Sequence, residues 1–240
     1  MKKILYLIIS ILSITNFYAQ KTYEFDYLIE YEFNIFKDSI KIKNQHFYEQ
    51  DKQIHRYYLT NSKNNDYYAV ITEKDSLYYK LVFIDHNGIY SNVEFLKSDL
   101  NKAEFINIDC KNVTKTTNPY KYKTKYYDLV SLKDTIINNE SFWHYKMTSN
   151  KPKKKRKEKI GTTFYIIDKS SNFHLPLLTF STLYEKWKLN KELPNGLIKE
   201  KYYENYYGRL SSNEKLIEYK KIDKKIIIPK KCNENEFIIR

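Results

Sequence analysis

The sequence predicts a mainly antiparallel β protein, built as one large curved sheet or half-barrel with a few short covering helices. Three observations carry that expectation. Over residues 23–33, Tyr23, Phe25, Tyr27, Ile29, Tyr31 and Phe33 occupy alternate positions, with Glu24, Asp26, Glu30 and Glu32 between them. A period of two separates an apolar face from an acidic one, as in a half-buried strand, whereas a helix would scatter these rings around its circumference. The same grammar recurs in weaker form between polar turns along most of the chain. The third observation is a set of doubled tyrosines: Tyr57-Tyr58, Tyr67-Tyr68, Tyr78-Tyr79, Tyr126-Tyr127, Tyr202-Tyr203 and Tyr206-Tyr207. Neighbours in a strand point to opposite faces, so each such pair sets one ring on either side of the sheet. A sheet that is aromatic on both sides needs its second side covered by helices or curled into a concavity. Tyrosine suits a cavity wall, because an apolar body carries a hydroxyl that bonds a ligand or water. The plainer alternative, tyrosine tolerated at exposed strand positions, stands beside it.

In chain order, Lys2 and Lys3 precede an almost unbroken apolar run over 4–14, and Ala19 precedes Gln20. This pattern reads as a secretory signal over 1–19 followed by a single β-rich domain over 20–240. The run is shorter than the ~20 residues a membrane-spanning helix needs. After the first strand, Lys37-Asp38-Ser39 reads as a turn and 40–50 as strand. Further strands fall at 54–60, 67–72 and 77–84. Asp85-His86-Asn87-Gly88 is the clearest turn, since Asn-Gly accepts the positive φ angles of tight hairpins, and His86 is read as a turn residue rather than a ligand. A strand follows over 89–95. Leu96, Leu100 and Ala103 at helical spacing suggest a short helix within 96–105, and 109–118 reads as loop. Strands are expected at 120–131 and 141–148, joined by a turn at Asn138 and Asn139, and again at 162–168. Residues 169–172 read as a turn and 173–180 as an extended run interrupted by Pro176. Residues 181–212 stay open between helix and strand: Thr182 with Glu185 fits a capping box, while Leu183, Glu185, Trp187 and Leu189 also alternate. Pro194-Asn195-Gly196 is a turn, and 197–204 and 216–229 read as closing strands.

The formal charge of +13 is compatible with an anionic partner. Lys, Asn, Ile and Tyr are abundant everywhere, as in an AT-rich coding sequence, so charge alone specifies none. Residues 151–159 concentrate it, with seven cations and one acid, and read as an exposed hairpin loop. Lys153, Lys154, Lys155, Arg156 and Lys157 are the candidates for docking on an anionic envelope surface, where each cation contributes about 1 kcal/mol. Nucleic acid is not an expected partner of an exported chain. Cys110 and Cys232 are the two cysteines. Export makes an oxidising compartment plausible, and the sequence leaves open whether they pair.

Ligand-cavity candidates are Tyr57, Tyr58, Tyr67, Tyr68, Tyr78, Tyr79 and Trp143. No catalytic residues, metal site or cofactor are expected. The five histidines, His46, His55, His86, His144 and His174, lack short ligand spacings, and no His-Glu-x-x-His, Gly-x-Ser-x-Gly or Walker loop occurs. Paired acids for glycoside hydrolysis need no proximity in sequence and stay open.

Two segments carry a family resemblance. Ile217-Glu-Tyr-Lys-Lys-Ile-Asp-Lys-Lys-Ile-Ile-Ile-Pro229 and Phe164-Tyr-Ile-Ile-Asp-Lys-Ser-Ser-Asn-Phe-His-Leu-Pro176 resemble strand, turn and proline segments of periplasmic lipoprotein-carrier and sorting proteins, with Lys224 where that family places glycine. The whole chain is similar to exported proteins of flavobacterial type, and Asp38-Ser39-Ile40, Asp75-Ser76-Leu77 and Asp134-Thr135-Ile136 resemble the O-glycosylation acceptor of that group. The carrier resemblance implies a curved antiparallel half-barrel covered by short helices, an acyl chain or other apolar ligand in its concavity, and no catalytic residues. The reading is thus an exported, periplasmic or secreted, non-enzymatic binding protein holding a lipid or other amphipathic ligand. The alternative is an envelope protein that grips anionic polymer or membrane through its basic loop. Oligomeric state is not legible.

Overall fold

In the computed structural model, which describes residues 20–42, 45–229 and 232, the chain forms a mostly antiparallel sheet of thirteen strands, open rather than closed into a barrel. Along the sheet the order is β7-β5-β4-β3-β2-β1-β13-β12-β11-β10-β8, with β6 beside β13 and β9 beside β10. The centre is made by the two longest strands, β1 (Gln20–Ile42) and β13 (Leu210–Pro229), paired antiparallel. On one side lie β2 (Gln45–Asn61), β3 (Asn64–Glu73), β4 (Tyr78–Asp85), β5 (Ile89–Leu96) and β7 (Val113–Lys115). On the other lie β12 (Ile198–Glu204), β11 (Thr162–Ile167), β10 (Glu140–Ser149) and β8 (Tyr127–Ser131). The short β6 (Phe105–Asn107) runs parallel to the end of β13, and β9 (Thr135–Ile137) turns into β10 through Asn138 and Asn139, both at positive φ.

Register assigns the faces, because residues directly opposite across a ladder share one. Leu59, Ala69 and Phe83 are successive partners, as are Tyr57, Ile71 and Leu81; they define a first face. Tyr58, Val70 and Val82 define the second, together with Ile29, Tyr31 and Phe33 of β1. The β13 and β12 partners Glu214 and Lys201, and Tyr165 and Tyr145 beyond them, continue that second face across the other wing.

Each face has its own cover. Helix α1 (Lys97–Lys102), β6 and a 3-10 turn at Cys110–Asn112 lie on the first face of the β1–β5 wing. Leu100 and Ile108 join Tyr23, Phe25, Leu59, Ile71, Leu81, Phe83 and Ile226 in one core, and Cys110 is bonded to Cys232 within it. The second face is covered by the insertion between β11 and β12: an extended strap over 173–180, then helix α3 (Ser181–Asn190). Helix α2 (Pro152–Lys157) lies in the β10–β11 connection.

The second face is concave. Helix α3 packs Leu183, Tyr184 and Trp187 against Met147, Tyr165 and Ile167 of β10 and β11, and Tyr184 also stacks on His86 in the β4–β5 turn at 3.8 Å. Six interstrand steps separate β4 from β11, roughly 29 Å in a flat sheet. One helix touches both, so the sheet curls around it. The interior of the curl is filled by Leu177, Leu178, Leu183, Tyr184, Trp187 and Leu197, all buried.

Several local expectations are corrected. Lys37-Asp38-Ser39 is no turn: β1 continues through it, paired to Glu49, Tyr48 and Phe47, and the ladder runs on to Ile42 opposite Gln45. Cross-strand pairing outweighs local turn preference there. Residues 120–126 form a 3-10 run rather than strand, started by the Asn118 side chain accepting from the Tyr120 N–H at 3.0 Å. Residues 109–118, expected as loop, hold the 3-10 turn and β7. Helix α3 settles the open reading of 181–190: Tyr184 is buried while Leu189 is 62% exposed, which alternation would forbid. Its N-cap is Phe180, without a side-chain cap, so the Thr182–Glu185 capping box does not form; Glu185 accepts from Asn118 instead. The basic loop contains a helical turn, α2.

Candidate functional site

The strap is held to the second face by side chains of the strands it crosses. Asn65 donates to the Pro176 carbonyl at 3.1 Å, Tyr68 to Thr179 at 3.3 Å, and His86 Nε2 meets Leu178 at 3.2 Å. The Leu175 N–H donates to the Ser62 carbonyl at 2.9 Å, and His174 Nε2 lies 2.9 Å from the Thr60 hydroxyl. Tyr184 donates to Asp66 at 2.6 Å from the following helix. Backbone groups of a segment without a strand partner thus find theirs mainly in side chains, with the Ser62 carbonyl as a backbone exception.

Beside the strap the concave face stays open. Between Lys215 and Lys225 only β1 pairs with β13, because β12 has ended and β6 has not begun. A recess of about 660 Å³ opens at this gap, lined by Asp26, Tyr27, Ser62, Lys63, Phe173, Tyr219, Lys221 and Ile222. Its wall is a trio of rings: Tyr27 lies 5.5 Å from Phe173 and 6.2 Å from Tyr219, and Phe173 lies 6.2 Å from Tyr219. Phe173 is 36% and Tyr219 43% exposed, so the outer rings present apolar area to whatever enters. Asp26 is engaged within the wall, accepting from the Ser62 N–H at 2.7 Å and hydroxyl at 2.5 Å. Lys63 reaches the Phe173 carbonyl at 3.1 Å and, with Lys221, puts positive charge at the rim. The arrangement suits an amphipathic molecule with an apolar body and an acidic end.

On the other side of the strap, Tyr58, Tyr68, Val70 and Val82 floor a smaller recess of about 330 Å³ rimmed by Arg56, Lys80 and Lys201. Glu214 is buried at its base. Burial alone would raise that carboxyl, but Lys201, the Tyr58 hydroxyl at 2.5 Å and Arg56 at 3.4 Å together hold it below the usual range. Its lone pairs are committed to these partners, so it serves as the anchor of the charged cluster rather than as a proton acceptor for a substrate. Burial pushes the Tyr31, Tyr58, Tyr68 and Tyr165 phenols well up, keeping them neutral donors.

The sequence-nominated rings are distributed rather than gathered. Tyr57, Tyr67 and Tyr79 pack half-buried against the first-face core. Tyr58 and Tyr68 are buried under the strap on the second face. Tyr78 is 39% exposed at the start of β4, and Trp143 packs at the edge of the α3 core. The recess rings Tyr27, Phe173 and Tyr219 were not nominated. Tyr27 belongs to the alternating first strand, and Phe173 and Tyr219 lie in the two segments that carry the family resemblance, so a signal for them existed. Lys153, Lys154, Arg156 and Lys157 are exposed, whereas Lys155 turns back to the Thr148 hydroxyl at 2.9 Å. His86, beyond its place in the turn, is buried between Tyr184 and the strap. Among the described residues no group of three His, Cys, Asp or Glu is arranged to hold a metal ion, and no helix is long and apolar enough to cross a membrane.

No family model matches the chain, and no curated protein does. Solved structures show a distant likeness. MucB in the MucA/MucB complex of Pseudomonas aeruginosa is 8% identical with a TM-score of 0.41, covering 82% of this chain and 51% of its own. An uncharacterized conserved protein from Thermus thermophilus is also 8% identical at 0.41, covering 87% and 82%. A domain described as an outer membrane lipoprotein-sorting protein from Vibrio parahaemolyticus is 10% identical at 0.29, covering 82% and 85%. The chain spans about half the length of the MucB chains it matches.

Proposed function

We propose that this is an exported, non-enzymatic binding protein that holds an amphipathic ligand, a lipid or acyl chain, in the recess walled by Tyr27, Phe173 and Tyr219. The observation that carries this reading is the trio of converging rings, two of them substantially exposed, at a gap in the sheet with lysines on its rim. Burial of an acyl chain against these rings contributes about 0.8 kcal/mol per methylene removed from water, and Lys63 and Lys221 complement an acidic head group. That the interior of the curl is filled by buried side chains supports this flank, rather than the centre of the concavity, as the binding position. Catalysis has no support in the polar cluster, whose carboxylate is saturated by its partners.

Organic extraction of freshly purified protein followed by mass spectrometry should release a stoichiometric amphipathic molecule. Displacement of a fluorescent fatty acid should weaken at least roughly tenfold when Phe173→Ser and Tyr219→Ser are combined, since two exposed apolar contacts are removed. An empty extract together with equal probe affinity in the double variant would overturn the reading.

A further inference from the structure

The positive charge of the chain is not spread evenly over the fold. Three segments distant in sequence meet at one end of the β8–β13 wing: the 3-10 run entering β8, the α2 connection between β10 and β11, and the turn between β12 and β13. Asn150 ties the first two, its N–H donating to the Tyr126 carbonyl at 3.0 Å and its amide to Lys125 and Asp128 at 3.2 and 3.0 Å. Gly161 ties the third: a Cβ there would lie 2.1 Å from the Glu204 carbonyl oxygen, so only glycine lets the strands approach this closely. Residues 119–128, 149–162 and 203–209 together hold eleven cations and three acids, against a net charge of +13 for the whole chain.

Rings are interleaved with this charge. Lys125, Lys151 and Lys154 stand over Tyr126 at 5.3, 5.8 and 5.7 Å, and Lys159 stands over Tyr206 at 4.8 Å and Tyr207 at 5.3 Å. These contacts set the ammonium groups around the rings, and of the lysines named only Lys154 also reaches an acid, Glu158 at 3.8 Å. Two rings of the tip point outward: Tyr122, flanked by Lys121 and Lys123, is 77% exposed, and Tyr207, already under Lys159, is 65% exposed.

We propose that this tip is a docking surface for an anionic lipid bilayer, with the lysines and Arg156 contacting head groups and Tyr122 and Tyr207 entering the interfacial layer. Tyrosine rings favour that layer, long basic side chains lie along it with their charges in water, and each cation near an anionic leaflet adds to binding. A soluble polyanion would satisfy the charge but would not cover the exposed apolar area of Tyr122 and Tyr207, which is why the bilayer is preferred. The inference is independent of the recess, which takes its β13 residues from Tyr219, Lys221 and Ile222 and none from the tip.

Co-sedimentation with phosphatidylglycerol vesicles tests it, against phosphatidylcholine vesicles and with dextran sulfate as a soluble competitor. The protein should sediment with the anionic vesicles alone, and release as salt rises from low to several hundred millimolar. Combining Lys153→Gln, Lys154→Gln, Arg156→Gln and Lys157→Gln should lower vesicle partitioning by at least about 100-fold, and Tyr122→Ser with Tyr207→Ser by roughly tenfold. These side chains are exposed, so unchanged circular dichroism certifies each variant; if the quadruple variant fails to fold, the salt titration and the ring variant decide. No sedimentation with anionic vesicles, salt-insensitive binding, or ring substitutions without effect would each overturn the proposal, the last in favour of a plain polyanion-binding surface.

Discussion

The two covers of the sheet differ in how they are held. On the first face, α1, β6 and the Cys110–Asn112 turn are pinned covalently through Cys110–Cys232 and by backbone bonds to β13, such as the Ile108 N–H to Ile227 at 3.0 Å. On the second face, the strap and α3 are held mainly by side chains, among them two buried histidines. The first cover is therefore expected to answer chiefly to reductant, through its disulfide, and the second to mild acid, through its buried histidines. A single sheet thus carries two covers held by different kinds of bond, and the recess walled by Tyr27, Phe173 and Tyr219 lies beside the second.

The largest effect separating them is expected from reduction. Cys110 and Cys232 are 122 residues apart, and the chain-entropy model assigns a closed loop of that size roughly 4 to 5 kcal/mol. Cys110→Ser with Cys232→Ser should lower the denaturation midpoint accordingly, and an unchanged midpoint would mean that the first cover owes nothing to its covalent link.

Acid should act on the second cover. Burial, countered only in part by the Leu178 carbonyl and nearby acids, holds the His86 imidazole at about 4 against 6.5, and burial also lowers His174. A histidine with a depressed folded value is neutral in the native state but protonates in the unfolded one. Its contribution is complete above about pH 6.5 and is lost as the pH falls to about 4, on the order of 3 kcal/mol for His86. Asp85 and Glu214, held below the ordinary carboxylate range by Lys21 and Lys201 among others, keep theirs until lower pH. Urea midpoints measured between pH 7 and 4.5 should fall, and His86→Gln should flatten that slope; an equally steep slope in the variant would remove His86 from the explanation.

A smaller change sharpens the same contrast. Asn65→Ala removes the amide that donates to Pro176 and should cost about 1 kcal/mol, with faster hydrogen exchange over 173–180 and none over 104–108. Exchange rising equally under both covers would show that they are not independent. The smallest effect is expected at the recess: Tyr219→Ser should shift stability by no more than about 0.5 kcal/mol while weakening ligand binding. A large loss of stability would instead make Tyr219 a structural ring.

The periodic elements were legible because their pattern is local. Alternation over residues 23–33 predicted β1, and Asn87-Gly88 predicted the hairpin that Gly88 closes at φ 105°. The short helix within 96–105 is α1. The extended course of 173–180 was legible, but its path over the second face was not, since that path is set by Thr60, Asn65, Tyr68 and His86, all far away in sequence. The recess was half legible: aromatic enrichment pointed to a ring-lined concavity, but the tyrosine pairs nominated for it were largely taken up by cores and strap. The basic tip was visible as one loop, and its rings belong to other segments.

The amino-acid order by itself determined an extended, twice-aromatic chain, because side-chain alternation in a strand is a property of adjacent residues alone. Which ring of each pair became core, which bonded the strap and which stayed at the surface was decided by the tertiary structure. Burial depends on what lies over a face, and both covers here come from segments that only the curl of the sheet and a disulfide spanning half the chain bring into place.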